Sequence, residues 1–153
     1  MNIRVAMMIV GTMLLDQASK YLIEEKMRLG QSISVIPDVF HITYVLNSGA
    51  AFGLFPQQKY FFIASAILMV LFGVYGIQKW SYYGEYFIYG VGAMIAGALG
   101  NLIDRVRLSA VVDFFDFRIW PVFNIADIAI VCGAMAIVWS FWLEEKREKQ
   151  NNG

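Results

Sequence analysis

Four stretches of this chain are apolar over a length that suits a membrane helix. A helix needs about 20 mainly apolar residues to cross the hydrocarbon core of a bilayer. Between Lys59 and Lys79, for example, lie nineteen residues without a charge. The pattern predicts four spans, at about residues 4–23, 60–78, 86–104 and 122–143.

The third predicted span is rich in small residues. They are Gly90, Gly92, Ala93, Ala96, Gly97, Ala98 and Gly100. In lipid, small side chains allow helix backbones to approach closely. We therefore predict that this helix lies at the centre of the bundle.

The segment between the first two spans has a different pattern. Apolar side chains alternate with polar ones and fall on one face of an extended chain, at Phe40, Ile42, Tyr44 and Leu46. This alternation predicts short strands. We expect a small extramembrane β-sheet over about residues 30–58, with a turn at residues 47–49. The aromatic-rich residues 104–121 are predicted to form a loop at the membrane interface.

Composition agrees with this pattern. Of the 153 residues, 59% are hydrophobic and only 16% are charged, whereas soluble domains contain about 25% charged residues. The formal net charge is zero, so no basic face is available to bind nucleic acid. The predicted fold class is an all-α membrane protein with four transmembrane helices, a small extramembrane β-sheet and an interfacial segment, in a single domain over residues 1–153.

The orientation in the membrane follows from the ends of the chain. Four spans place both termini on one side of the bilayer. Basic residues are almost equally divided between the two sides, so the positive-inside rule does not decide the orientation. The charged tail EEKREK favours a cytoplasmic C-terminus, and we predict that both termini are cytoplasmic.

Polar residues interrupt the apolar pattern at positions that converge on one membrane surface. Ionisable groups inside spans are costly and by default indicate function. They lie at the end of span one, at the end of span three, at the start of span four and in the adjoining segments, at Asp16, Lys20, Asn47, Asn101, Asp104, Arg105, Asp113, Asn124 and Asp127. Since alternate spans run in opposite directions, this pattern predicts a site near the outer face.

Several of these residues also have a simpler interpretation. Asp16 and Lys20 are four residues apart and can form an ion pair within one helix. Asp104 and Arg105 can hold neighbouring helices together, and Asn47 can simply begin a turn. Asp38 and Asp116, which lie beside loop segments, are expected to be solvated.

Asp113 and Asp127 differ from the others because neither has a neighbouring cation in the sequence. Two carboxylates held together where solvent is scarce cannot both ionise readily, so the pair shares a proton. Such a pair can activate a water molecule and polarise a carbonyl group. A transporter or proton relay and a non-catalytic assembly subunit are the competing classes. A transporter would spread its acids across the membrane, and an assembly subunit would not need the pair.

Five blocks of sequence resemble the signal peptidase II (lipoprotein signal peptidase) family, and they occur in the order that this family has. The blocks are DQASK at 16–20, NSGAAFG at 47–53, GALGNLIDR at 97–105, VVDFFDF at 111–117 and FNIAD at 123–127. The resemblance covers most of the chain. It implies a four-span bundle with an extramembrane β-cradle and a metal-independent aspartic endopeptidase that needs no cofactor.

The resemblance also implies residue roles. The catalytic pair would be Asp113 and Asp127. Positions that hold the substrate or shape the site are matched by Asn47, Asn101, Arg105 and Asn124, and positions that support the site by Asp16, Lys20, Gly49 and Asp104. Apolar walls are expected from Phe52, Phe55, Phe114, Phe115 and Trp120.

The expected substrate is a prolipoprotein that already carries a diacylglyceryl group, cut immediately before the lipidated cysteine. An edge strand in the 30–58 region would hold this peptide extended. The other expected partners are membrane lipid and globomycin-type peptide inhibitors, which would lodge between the two aspartates. The protein is expected to be a monomer in the bacterial cytoplasmic membrane.

Overall fold

The computed structural model describes residues 2–49 and 58–151, which form long helices and a three-stranded sheet. In chain order the elements are α1 (Ile3–Lys26), β1 (Ser32–Ile36), β2 (Phe40–Asn47), α2 (Gln58–Trp80), α3 (Glu85–Leu108), β3 (Val111–Asp116) and α4 (Ile125–Asn151). A single 3-10 turn, Ser81–Tyr83, joins α2 to α3. The protein is thus mostly helical with a small sheet.

Within the described residues, three helices are long and apolar enough to cross a membrane. They correspond to α2, α3 and α4, with mean hydropathies of 2.2, 1.5 and 1.9 over their most apolar segments. These helices make the chain a membrane protein. Helix α1 is equally long, at 24 residues, but its buried Asp16 and Lys20 reduce its apolar character.

Helix α3 lies at the centre of the bundle and contacts the other three long helices. Its side chains Val91 and Ile95 are buried in one cluster with Val5 and Ile9 of α1. At Gly100 a side-chain β-carbon would lie 2.5 Å from the carboxylate of Asp16, so glycine is needed where α1 approaches. The prediction that the small-residue helix is central is confirmed.

The sheet has the order β1-β2-β3, with both pairs antiparallel. The predicted apolar face of β2 is confirmed for three residues, because Ile42, Tyr44 and Leu46 all pack in one cluster with Met27, Val112 and Phe114. In the β2–β3 register, Val45 pairs with Asp113. This register places Asp113 of β3 beside Asn124, at the start of α4.

The prediction of a loop over residues 104–121 is wrong for most of its length. Helix α3 continues to Leu108, and β3 follows within three residues. The pairing partner of β3 lies in β2, far away in sequence, so local pattern does not reveal the strand. The part that remains a connection, after Asp116, exposes Trp120.

The prediction that Asp116 is solvated is also wrong. Only 5% of this residue is exposed. Its carboxylate accepts hydrogen bonds from the Thr43 hydroxyl at 2.7 Å and from the backbone N–H of Arg118 at 2.9 Å, and it pairs with the Arg118 guanidinium at 3.0 Å. Asp38, in contrast, is exposed as expected.

Candidate active site

The polar residues gather around Lys20, whose side chain is fully buried. Its ammonium nitrogen lies 2.9 Å from Asp16 Oδ2, 2.8 Å from Asp104 Oδ2 and 3.0 Å from Asn101 Oδ1. An ammonium group has three N–H donors and no acceptor, so each donor has one partner. The predicted ion pair between Asp16 and Lys20 is confirmed, and Asp104 completes it.

The ion cluster of Lys20, Asp16 and Asp104 links four elements, α1, α3, β3 and α4. Asp16 Oδ1 accepts a hydrogen bond from the backbone N–H of Ala126 in α4, at 2.9 Å. Asp104 Oδ2 accepts one from the backbone N–H of Val112 in β3, at 3.2 Å. Buried charges are costly unless their hydrogen bonds are satisfied. In the part of the chain that the structure describes, every buried side-chain polar atom of this cluster has a partner.

Gln17 belongs to the same network and was not singled out from the sequence. Its amide nitrogen lies 3.1 Å from Asp16 Oδ2, 3.1 Å from the carbonyl oxygen of Gly100 and 3.2 Å from Asp104 Oδ1. The sequence signal that could have identified Gln17 is its polar side chain directly beside Asp16 in a predicted span.

Asp127 is held by the start of its own helix. Asn124 precedes the first residue of α4, and its Oδ1 accepts a hydrogen bond from the backbone N–H of Asp127 at 2.9 Å. In return, Asp127 Oδ2 accepts one from the backbone N–H of Asn124 at 3.2 Å. This is a reciprocal capping box, and it explains the spacing of three residues. The positive end of the helix dipole also favours a carboxylate here.

Asp113 lies on β3 and is 1% exposed. Its Oδ2 accepts a hydrogen bond from Asn47 Nδ2 at 2.8 Å, and its Oδ1 accepts one from Asn124 Nδ2 at 2.7 Å. Burial raises the pKa of Asp113 to about 6, and the nearby charge of Asp127 adds to this rise. The hydrogen bonds from the two asparagines oppose the rise without cancelling it.

Asn124 connects the two aspartates, which are fourteen residues apart in sequence. Its side chain donates to Asp113, and its cap holds Asp127. Asn101 completes the arrangement, since its Nδ2 donates to Asp127 Oδ1 at 2.8 Å. The four carboxylate oxygens of the pair therefore each accept a hydrogen bond from an N–H group.

Gly49 shapes the site through its backbone. Its φ is +74°, in the left-handed region that favours glycine. Its N–H donates to Asn47 Oδ1 at 2.9 Å, which confirms the predicted turn after β2. A side-chain β-carbon at this position would overlap the ring of Phe62.

Arg105 lies beside the pair without a hydrogen bond to either carboxylate in the described structure. Its Nη1 donates to the backbone oxygen of Asn101 at 3.4 Å. The guanidinium carbon lies 4.9 Å from the centre of the Phe62 ring, within the range of a cation–π contact. Phe62 was not anticipated from the sequence, where it is one of many aromatic residues in an apolar span.

The aromatic walls differ from the prediction. Asp127 lines a groove of about 330 Å³ together with Trp120, Phe123 and Val131. Trp120 is thus a wall residue, as the sequence predicted, whereas Phe123 was not predicted. Phe114 instead packs in the cluster of Tyr44 and Met27. The predicted wall residues Phe52 and Phe55 lie outside the described residues.

Comparisons with known proteins point to one family. Residues 8–143 match the family described as signal peptidase (SPase) II. The lipoprotein signal peptidase of Halothermothrix orenii is 46% identical over 142 residues, which cover 93% of this chain and 97% of that protein. The lipoprotein signal peptidase of Pelotomaculum thermopropionicum is 46% identical over 132 residues, covering 86% of this chain and 87% of that protein.

Solved structures agree with the sequence comparisons. One, described as a bacterial membrane enzyme solved by the in meso method at 2.3 Å, superposes with a TM-score of 0.85. It is 34% identical and covers 94% of this chain and 90% of its own. A second, of the same description at 1.9 Å, has a TM-score of 0.85 and 35% identity, with 90% and 92% covered.

We expect the Asp113 carboxyl to titrate near pH 6, above the 3.8 of an ordinary aspartate. Because this pKa is raised, ionisation of Asp113 lowers the free energy of unfolding. The loss is absent below the ordinary pKa of 3.8 and is complete above about pH 6. The infrared band of the protonated carboxyl, obtained as the difference between wild type and Asp113→Asn, measures this titration. Asp127→Asn should lower the midpoint by removing a neighbouring charge. A midpoint near 3.8 in the wild type would contradict the role of burial.

Proposed function

The chain belongs to the signal peptidase II family, and on that premise we propose that it is a membrane aspartic endopeptidase for prolipoproteins. It removes the signal peptide from a diacylglyceryl-modified precursor by cutting immediately before the lipidated cysteine. The observation that carries this proposal is the arrangement of Asp113 and Asp127 around Asn124. Two carboxylates held by N–H donors, one of them buried, form an acid–base pair.

The proposed reaction uses one proton shared by the pair. The ionised carboxylate takes a proton from water, and the oxygen of this water attacks the carbonyl carbon of the scissile bond. The protonated carboxyl donates to the carbonyl oxygen and so stabilises the developing charge. The tetrahedral intermediate then collapses: the carboxyl that took the proton from water gives it to the leaving nitrogen, the hydroxyl returns its proton to the other carboxylate, and the C–N bond breaks. The pKa of Asp113, raised to about 6, supports a proton that is retained at pH values where an ordinary aspartate has lost it.

The asparagines are proposed to position the carboxylates. Asn47, Asn101 and Asn124 each donate to an aspartate of the pair, so these amides are already engaged. Substrate binding is assigned instead to Arg105. Its guanidinium has five N–H donors, and one of them bonds to the backbone of α3. The other donors are suited to backbone carbonyl groups of an extended peptide.

The position of the pair suits a lipid-anchored substrate. Asp127 is half-buried and borders a groove whose other lining side chains, such as Trp120, Ile128 and Val131, are apolar. Acyl chains of the substrate can remain in hydrocarbon while the scissile bond reaches the carboxylates. A transporter is less consistent with this arrangement because the polar groups collect at one end of α3 and the start of α4. An assembly subunit would not require the hydrogen-bonded acid pair.

For the topology we propose that α1 is a fourth span, so that residues 1–153 form a single membrane domain. A helix of 24 residues measures about 36 Å, which exceeds the hydrocarbon thickness. Its charged side chains Asp16 and Lys20 face α3 and not lipid. With four spans, both termini are cytoplasmic and the acid pair is near the outer face.

We also propose that the enzyme acts as a monomer and that globomycin-type peptides inhibit it by binding between the aspartates.

The proposed chemistry needs no metal. Among residues 2–49 and 58–151, no group of three or more His, Cys, Asp or Glu side chains is placed to hold a metal ion. The N–H donors that face Asp113 and Asp127 also present the positive ends of their dipoles to the site. These donors favour an anion or a shared proton over a cation.

Single cysteines in a Cys132→Ser background test the topology. An impermeant maleimide should label Ser34→Cys, on the exposed strand β1, in intact cells. Asn2→Cys and Glu148→Cys, near the two chain termini and so on the same predicted side of the membrane, should be labelled only after the membrane is permeabilised. Labelling of Asn2→Cys in intact cells would contradict a spanning α1 with a cytoplasmic N-terminus.

Replacement of either aspartate tests the proposed function. In lipid nanodiscs, Asp113→Asn and Asp127→Asn should each abolish cleavage of a diacylglyceryl-modified precursor, because neither variant can form the shared-proton pair. Asp116→Asn is the matched control, since it changes a buried aspartate of the same strand that pairs with Thr43 and Arg118, and it should retain turnover. The unmodified precursor should be a poor substrate for the wild type. Near wild-type cleavage by either pair variant would show that the assignment is wrong.

Treatment with EDTA should leave the cleavage rate unchanged, because the proposed reaction uses only two carboxylates of the protein and a water molecule. The measurement is the initial rate with the lipidated precursor before and after dialysis against the chelator. A loss of activity that a divalent metal restores would instead identify a metalloenzyme.

A further inference from the structure

Three asparagines face the acid pair, and each amide group is oriented by a partner that can only donate. Asn47 Oδ1 accepts from the backbone N–H of Gly49 at 2.9 Å, and Asn124 Oδ1 accepts from the backbone N–H of Asp127 at 2.9 Å. Asn101 Oδ1 accepts from the ammonium of Lys20 at 3.0 Å. Because the oxygen of each amide is held in this way, its nitrogen must face the aspartates.

Two of these three anchors are backbone N–H groups, which belong to the main chain and not to a side chain. Lys20 is the exception, since its donor is a side chain. We propose that Lys20 is a positioning residue for the cleavage reaction, acting through Asn101: its ammonium fixes the Asn101 amide so that Nδ2 donates to Asp127. This inference rests on the proposed function of the pair.

The geometry gives Lys20 more than a charge-balancing role. Two of its N–H groups serve the carboxylates of Asp16 and Asp104, and the third is directed at the neutral oxygen of Asn101. That third bond adds nothing to charge neutrality. It links the buried ion cluster to the catalytic pair, because the other end of the same amide donates to Asp127 at 2.8 Å.

Without the ammonium, the orientation of Asn101 would lose its main anchor. The remaining donor at its oxygen is Asn124 Nδ2, at 3.0 Å. That nitrogen has two hydrogens, and it also lies 2.7 Å from Asp113 Oδ1 and 3.2 Å from the carbonyl oxygen of Val112. A reversed Asn101 amide would place an oxygen against Asp127 Oδ1. Two acceptors in contact repel each other, so a reversed amide would no longer hold this carboxylate in place.

A Coulombic effect of Lys20 must be separated from this hydrogen-bonded route. The ionisable groups around Asp127 are Asp16 and Lys20 on α1, Asp104 and Arg105 on α3, and Asp113 on β3. Loss of the Lys20 charge alone would favour protonation of the pair. The two effects have the same sign, so a single substitution does not distinguish them.

A double-mutant cycle with Lys20→Met and Asn101→Ala makes the distinction. The measured quantity is the pH at the midpoint of the acid limb of kcat/KM, with the lipidated precursor in nanodiscs. If Lys20 acts through Asn101, each variant removes the same donor from Asp127. Each should then move the acid limb up by about one pH unit, the value of one hydrogen bond to the ionised form. Each should also lower kcat on the order of 10²-fold.

The double variant is the deciding protein, because interactions that share one route are not additive. We expect its acid limb to coincide with that of Asn101→Ala. An acid limb moved by the sum of the two single shifts would overturn the proposal and show that Lys20 acts by its charge. Asp16→Asn is the control, since it perturbs the same ion cluster but leaves the bond from Lys20 to Asn101, and its acid limb should not move up.

Lys20→Met leaves two buried carboxylates without a cation, so a second version of the cycle guards against a folding defect. Lys20→Met with Asp104→Asn removes one of these charges and keeps an oxygen for the backbone N–H of Val112. The amide nitrogen introduced at position 104 then faces Gln17, whose side-chain amide must reverse to accept from it, and does not face Asn101. Asp104→Asn alone is the reference for this cycle, and the same coincidence of acid limbs is expected.

Wild type and Asp113→Asn are assayed beside these variants. No cleavage by the wild type, or persistent cleavage by Asp113→Asn, would contradict the proposed function itself. If the wild type cleaves and Asp113→Asn does not, but the shifts of the acid limb in the cycle are additive, only the proposed role of Lys20 is overturned.

Discussion

The buried ammonium of Lys20 is the interaction on which the rest of the polar architecture depends. Through Asp16 it reaches the first turn of α4, through Asp104 it reaches the start of β3, and through Asn101 it reaches the acid pair. Burial of three charges is costly, and a well-packed apolar cluster of the same volume is often as stable. Stability alone therefore does not account for these residues. Their value lies in the fixed directions of their hydrogen bonds, which apolar side chains cannot supply.

The acid pair is assembled from two kinds of local structure. Asp127 is a helix-capping residue, so its position follows from the first turn of α4. Asp113 is a strand residue, placed by the register between β2 and β3. Asn124 links the strand residue to the helix residue, because its Nδ2 donates to Asp113 while its Oδ1 and its backbone N–H bond to Asp127. The small sheet thus contributes directly to the site, although most of the chain is helical.

Local patterns in the sequence predicted some features of the fold and missed others. Local periodicity was sufficient for the central small-residue helix, for the apolar face of β2 and for the ion pair between Asp16 and Lys20, because each depends on residues close together in sequence. It failed for β3, whose hydrogen bonds go to a distant strand, and for Asp116, whose partners include Thr43. Gln17 and Phe62 were missed because their roles arise only from contacts with α3.

By itself the sequence determined that the chain belongs in a membrane, that its polar residues converge at one end of the apolar helices, and that its motifs match a single family. These properties follow from length, polarity and order along the chain. The tertiary structure alone decided that Asp113 and Asp127 share Asn124, that Asn101 faces Asp127 with its nitrogen, and that Arg105 rests on Phe62. Hydrogen-bond direction is the physical reason, because the orientation of an amide depends on which partner lies on each side, and those partners come from distant segments.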